Sequence, residues 1–205
     1  MLISIIDYGV GNLTSVQNMF RKAGVDAGIC NDKSEIVSAK KIILPGMGAF
    51  DSCMQKFNDS GFRDIIEQKI VQEKIPVLGI CVGLQMLMEG SEEGNLPGFG
   101  WIKGRTVAFD KAKMQEGDKI PNMGWLDVTE KKASRLTEGL HEARFYFAHS
   151  FHVLPADKKD ILITARYGYE FTAGIEKENI LGVQFHPEKS HRFGMQLLKN
   201  FADNY

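Results

Sequence analysis

What the chain lacks excludes whole classes of function. No apolar run approaches the roughly 18 to 20 residues of a bilayer-spanning helix, so no membrane segment is expected. Charge of one sign is also missing. The 25 basic and 26 acidic side chains leave a formal net charge of -1, which gives neither nucleic acid nor an anionic membrane an electrostatic foothold. Cysteine is scarce: three widely spaced residues make neither a disulfide framework nor a zinc site. Free thiols suit the reducing cytoplasm, which is the expected location. The opening MLISIIDYGVGN has no basic n-region and no small-residue cleavage site, so no signal peptide is read there. Repeats, low-complexity tracts and a recognisable linker are absent too. With 205 residues and 43% hydrophobic content, the expectation is a single domain over residues 1–205.

What is present alternates short β-type runs with amphipathic helical ones. LISIID reads as a strand and GVGN as the turn after it. Val16, Met19, Phe20 and Ala23 fall at i, i+3, i+4 and i+7 of a helix that Gly24 is placed to end. KIILPG is the next clear strand, helical runs follow over 50–57 and 62–71, and IPVLGI is a strand again. Continuous Ile/Val/Leu strands separated by helices predict an α/β fold: an open, mixed, mostly parallel sheet with helices on both faces. Past residue 90 the texture changes to extended segments, among them GWLDVTE, RFYFAHSFHVL, ILITARY, FTAGIE and ILGVQF, before a last helix over 193–202.

The stretch GICVG sets Cys81 between Gly79 and Gly83, where a strand gives way to a helical run. That is the pattern of a nucleophile elbow, whose strained turn needs small neighbours because backbones pack closely there. A helix N-terminus favours a thiolate, and the N–H of Val82 would point to where an oxyanion develops. Cys30 and Cys53 lack such a setting and read as core residues. A thiol nucleophile needs a base, and the chain offers His141, His149, His152, His186 and His191. In QFHPEKS a strand ends at His186, with Glu188 two residues on across Pro187. Such a pair can reach the carboxyl edge of a sheet together, one as base and one as its orienter. The GVG at Gly9 to Gly11 and the pair Gly46 and Gly48 fall short of a dinucleotide-binding fingerprint, so neither cofactor nor metal is expected.

Together, GICVGLQ and QFHPEKS resemble the class I glutamine amidotransferases. IDYGVGN, ILPGMGAF, SEEG, MGW and FYFAHS add a resemblance, in order and over nearly the whole chain, to one branch of that family, the glutaminase subunits of imidazole glycerol phosphate synthases. The resemblance implies a Cys81, His186 and Glu188 triad that hydrolyses L-glutamine. It implies an oxyanion site made by Val82 and a peptide near Met47, in PGMG, which has to turn to present its N–H. It implies glutamine held by Gly46, Gln85, Glu93, His149, Ser150 and Phe151. It further implies a heterodimer with a (β/α)8-barrel cyclase docked on Asn12, Trp125 and Lys189. Ammonia would pass to that partner, which converts the ribonucleotide PRFAR to imidazole glycerol phosphate and AICAR in histidine biosynthesis.

The chain departs from the branch's Pro-His-Met-Gly-Trp-Asn pattern at Asn122 and Leu126, while Phe151 stands for tyrosine and Ser150 for threonine. The first two are expected on the partner side. They leave open a paralogous glutaminase that feeds a sugar-amidating partner in surface-polysaccharide synthesis. From another class, a DJ-1/PfpI-like module also carries a cysteine on an elbow, but lacks the late His-Pro-Glu.

Overall fold

The computed structural model describes residues 3–205, so Leu2, the first residue of the predicted opening strand, lies outside the described residues. The chain runs β1 (Ile3–Ile6), α1 (Leu13–Lys22), β2 (Ala27–Cys30), α2 (Lys33–Val37), β3 (Lys41–Gly46), α3 (Phe50–Asp59) and α4 (Arg63–Glu67). A π-helical turn, Gln68–Gln72, continues α4 before β4 (Val77–Cys81) and α5 (Val82–Met86). Then come β5 (Gly104–Ala108), β6 (Asn122–Glu130), β7 (Arg144–His149), β8 (Phe151–Pro155), β9 (Ile161–Tyr167), β10 (Tyr169–Lys177), β11 (Ile180–Val183) and α6 (His191–Asn204).

Among the described residues the sheet has eleven strands, with β2-β1-β3-β4-β11-β10-β9-β6-β7 as its main path and β5 joined through β8 to β10. The first five strands of that path are parallel. The remaining pairings are antiparallel. Right-handed crossovers put α1 on one face and α2 to α4 on the other, because the chain moves outward from β1 to β2 and then reverses. The packing agrees: α1 lies on α6, α2 on α4, and α3 on α5. A strand covered on both faces must be apolar throughout, and β1, β3, β4 and β11 are buried at every residue.

Two elements escape the sequence pattern. The segment DAGIC offers only one β-branched residue yet forms β2, and the short α2 follows it, capped by the Asp32 carboxylate accepting from the Ser34 N–H at 2.7 Å. The helix after Cys81 is also shorter than its apolar spacing predicts, because it stops at Met86. The connection from β1 leads to one side of the sheet and that from β2 to the other. A crevice therefore opens at the carboxyl ends of the central parallel strands.

Candidate active site

Cys81 ends β4 and caps α5 with φ 56° and ψ -113°, a backbone strain that a side chain tolerates only when its surroundings impose it. The imposing contacts are backbone to backbone. A Cβ on Gly83 would stand 1.9 Å from the Leu44 carbonyl oxygen, and one on Gly79 would stand 2.7 Å from that of Gly83. Glycine is therefore obligatory on both sides of the elbow, and α5 is pressed onto β3 and β4.

His186 follows β11 and is buried, and its Nδ1 lies 2.9 Å from Glu188 Oε1. Burial works against its charged form. Hydrogen bonding and charge at Cys81 and Glu188 outweigh that and raise its pKa to about 10. The other Glu188 carboxylate oxygen is buried without a hydrogen-bond partner among the described residues.

A cavity of about 230 Å³ opens beside these groups. Of the residues expected to hold glutamine, Gln85, Glu93, His149, Ser150 and Phe151 line it, as do Met47, Val82 and Lys189. Gly46 does not. It faces Cys81 across the β3–β4 register, and a Cβ there would stand 2.4 Å from the Gly83 nitrogen. Gly48, Pro121 and Ala148 also line the cavity, although none of them is among the expected site residues. Gly48, at φ 95° with open space around it, is the one of the three that its Gly-x-Gly setting could have indicated.

The PGMG segment is pinned by its carbonyls. The Tyr8 hydroxyl donates to Pro45 O at 2.5 Å, and the Cys53 thiol donates to Met47 O at 3.4 Å. The Met47 side chain is 48% exposed. Glu93 accepts the Phe50 N–H at 2.8 Å, which ties the loop after α5 to the start of α3. Gln85 is buried, and its amide nitrogen donates to Phe151 O at 3.3 Å and to Gln184 Oε1 at 3.2 Å. Both of its N–H donors are thus used within the protein, and only its oxygen is left for a ligand. Burial drives the pKa of His149 down to about 3 although its Nδ1–H donates to Phe151 O at 2.8 Å. It is a neutral ring of fixed tautomer, with Nε2 as acceptor.

The expectation for Asn122 needs correction. It is 2% exposed and does not face a partner. As the residue opposite His149 in the antiparallel register of β6 and β7, it points to the same side and donates its amide to His149 Nε2 at 3.2 Å. Leu126, on the same strand, is half-buried against the core. The three residues expected to dock a partner share one side of the molecule. Asn12 is exposed before α1, which packs on the Pro187–Lys189 turn, and Lys189 is exposed over the Tyr146 ring. Trp125 meets Tyr146 edge-on and stacks on His191 with centroids 5.4 Å apart.

Comparison with known proteins gives the same family as this geometry. The chain is 51% identical over 201 residues to an imidazole glycerol phosphate synthase subunit HisH 2 of Methanococcus maripaludis, covering 98% of each chain. It is 45% identical to a protein of the same name from Pseudomonas aeruginosa, covering 98% of this chain and 99% of that one. A solved structure described as a glutamine amidotransferase superposes with a TM-score of 0.70 at 18% identity, covering 96% of this chain and 98% of that one, which speaks to the fold alone. The family model for glutamine amidotransferase class-I matches residues 4–205, and the chain belongs to that family.

Proposed function

We propose that this chain is the glutaminase subunit of an imidazole glycerol phosphate synthase, acting in the cytoplasm with a (β/α)8-barrel cyclase as its partner. The observation that carries the reading is that Cys81 and His186 line one cavity sized for a single amino acid, with Glu188 2.9 Å from the far side of the His186 ring, in a chain 51% identical to a relative of that name. Cys81 attacks the side-chain amide carbon of glutamine. His186 takes the thiol proton as the S–C bond forms, and gives that proton to the departing ammonia as the C–N bond breaks. Its raised pKa suits that donor role, and Glu188 fixes its tautomer. Water, deprotonated by His186, then cleaves the thioester, which releases glutamate and restores the thiol.

The Val82 N–H stabilises the oxyanion, joined by a peptide near Met47 once that segment turns. Loss of one such donor costs about 2.7 to 4 kcal/mol, or a hundred- to a thousand-fold in rate. A partner docked over Asn12, Trp125 and Lys189 favours the turned peptide only as far as it binds that state more tightly. The ammonia enters the barrel, where PRFAR becomes imidazole glycerol phosphate and AICAR. Asn122 lends the sugar-amidating alternative less weight, since it is buried against His149; Leu126 and the stretch EKSHRFGMQLLKNF still leave that alternative open.

Glutamate release by the chain alone, with the barrel cyclase, and with cyclase plus its ribonucleotide tests the reading. Activation by the liganded cyclase is expected. A chain that is equally fast alone would sink the coupling, and activation only by a sugar-amidating partner would move the chain to the paralogous branch.

A further inference from the structure

One group beside the nucleophile takes no part in the hydrolysis. Gln184 follows β11 and is wholly buried, its backbone N–H held by Ala173 O at 2.9 Å. A buried primary amide needs partners for its oxygen and its nitrogen. The oxygen accepts from Gln85 Nε2 at 3.2 Å, and the nitrogen donates to Cys81 Sγ at 3.8 Å, a hydrogen-bond distance for the larger sulfur atom.

Its orientation is dictated from a distance. The Phe151 carbonyl accepts from both His149 Nδ1 and Gln85 Nε2, so a reversed Gln85 would set oxygen against oxygen. With Gln85 as donor, Gln184 must present oxygen to Gln85 and N–H to the sulfur. At the far end Asn122 donates to His149 Nε2, which keeps the Nδ1–H on the Phe151 carbonyl. The whole relay therefore has one polarity from β6 to the elbow.

We propose that Gln184 is a positioning residue for the nucleophile, its amide N–H holding the Cys81 sulfur in a direction set by Gln85 and the Phe151 carbonyl. The proposal rests on the reading of Cys81 as nucleophile. It gives the sulfur a second fixed contact, opposite in kind to the base: a donor that never gives up its proton. It follows that the Gln184 N–H acts on the reacting atom, while Gln85, His149 and Phe151 are the members of the relay that also line the cavity.

The test uses the complex of this chain with the barrel cyclase and its ribonucleotide. Gln184→Met keeps the bulk and removes the donor. Gln184→Glu keeps the acceptor for Gln85 and turns an oxygen toward the sulfur. The expected result for Gln184→Met is a kcat about tenfold lower, the low end for losing a hydrogen bond to a charged group, with KM within about twofold. Alkylation of Cys81 by iodoacetamide should slow in step, and Gln184→Glu should lose more than Gln184→Met on both measures. Folded variants with kcat and alkylation rate within twofold of wild type would overturn the proposal, as would a loss confined to KM. If Gln184→Met does not fold, the nearly isosteric Gln184→Glu decides. Failure of both to fold makes Gln184 a packing residue and also overturns it. A wild-type complex without glutaminase activity, or whose Cys81 resists alkylation, would instead refute the nucleophile reading itself.

Discussion

The parallel half of the sheet, β1 to β4 with β11, and the antiparallel half, β5 to β10, meet at one cavity, but they are built to different tolerances. In the parallel half the backbones touch. Gly46, Gly79 and Gly83 let β3, β4 and α5 approach until no Cβ fits between them, and the strained Cys81 sits where they meet. In the antiparallel half β7 alternates buried with less buried residues, and what this half offers the cavity is largely the main chain around Phe151. All four departures from the family pattern, Asn122, Leu126, Ser150 and Phe151, fall on this second half. Chemistry that needs one geometry lies where the backbone cannot vary, and adjustment to substrate or partner lies where it can.

The severest way to break that comparison is to remove Cys81, the proposed nucleophile. Cys81→Ala should abolish glutamine-dependent turnover of the complex and leave its ammonia-dependent synthesis intact, because the second reaction belongs to the partner. His186→Asn should come close to the same loss, whereas Glu188→Gln should leave a measurable remnant, since an orienter is replaced more easily than a base. Glutamate release and product formation with added ammonium measure both. If ammonia-dependent synthesis disappears with Cys81→Ala, the cysteine is a structural residue.

Next in size is the rigidity of the elbow itself. Gly83→Ala forces a Cβ into the Leu44 carbonyl, which sits between two strands and cannot move alone. A loss of about 3 kcal/mol or more is expected in urea unfolding, in the range of severe overpacking. Gly90, outside the parallel half, has open space where its Cβ would go, and Gly90→Ala should stay within about 0.5 kcal/mol. Equal effects at the two positions would remove the distinction between the halves.

The same contrast governs what can be read from the sequence. The parallel half is legible because strands buried on both faces must be runs of Ile, Val and Leu, and because a cysteine between two glycines at a strand end fits a strained elbow as well as core packing, with the late His-Pro-Glu tipping the balance. DAGIC is not legible as β2, since its Ala and Gly carry no β signal and only burial between neighbours makes it a strand. In the antiparallel half the extended segments are visible one by one, but their partners are not, because β6 pairs with both β7 and β9 across long stretches of chain. Asn122 turns inward against expectation for that reason: without the register opposite His149 nothing in its neighbourhood says which way it points. Gln184 leaves a usable trace, a lone amide in the otherwise apolar run ILGVQF, where a buried polar group demands a partner.

Two histidines sharpen the comparison through pH. His186, beside the parallel half, has its folded pKa raised from 6.5 to about 10. Its contribution to stability is therefore fully present below pH 6.5 and lost as pH rises through ten. His149, on β7, has its pKa lowered from 6.5 to about 3 by burial, so its contribution is present above pH 6.5 and lost as pH falls toward three. The buried His152 shifts in the same direction as His149. Melting temperatures followed from pH 4 to pH 10 should fall on both sides by about 2 to 6 °C from these groups. His186→Gln should flatten the alkaline side and His149→Gln the acid side. A variant that flattens the opposite side would reverse the assignment.

The smallest effect is expected where the antiparallel half departs from its family and yet touches the substrate cavity. Phe151 lines that cavity in place of tyrosine, half-buried at the start of β8. Its share in the site that the structure fixes most firmly is its carbonyl, which accepts from His149 and Gln85, and no side-chain exchange alters that. Phe151 is only partly buried and lines the cavity, so the hydroxyl added by Phe151→Tyr can reach water there and no buried polar group is created. Surface exchanges of this kind stay within about 0.5 kcal/mol, and the KM for glutamine should move by no more than about threefold. Ser150→Thr keeps its hydroxyl and should do no more. If Phe151→Tyr instead changes KM tenfold, the ring contacts glutamine directly, and the antiparallel half is as exacting there as the elbow is across the cavity.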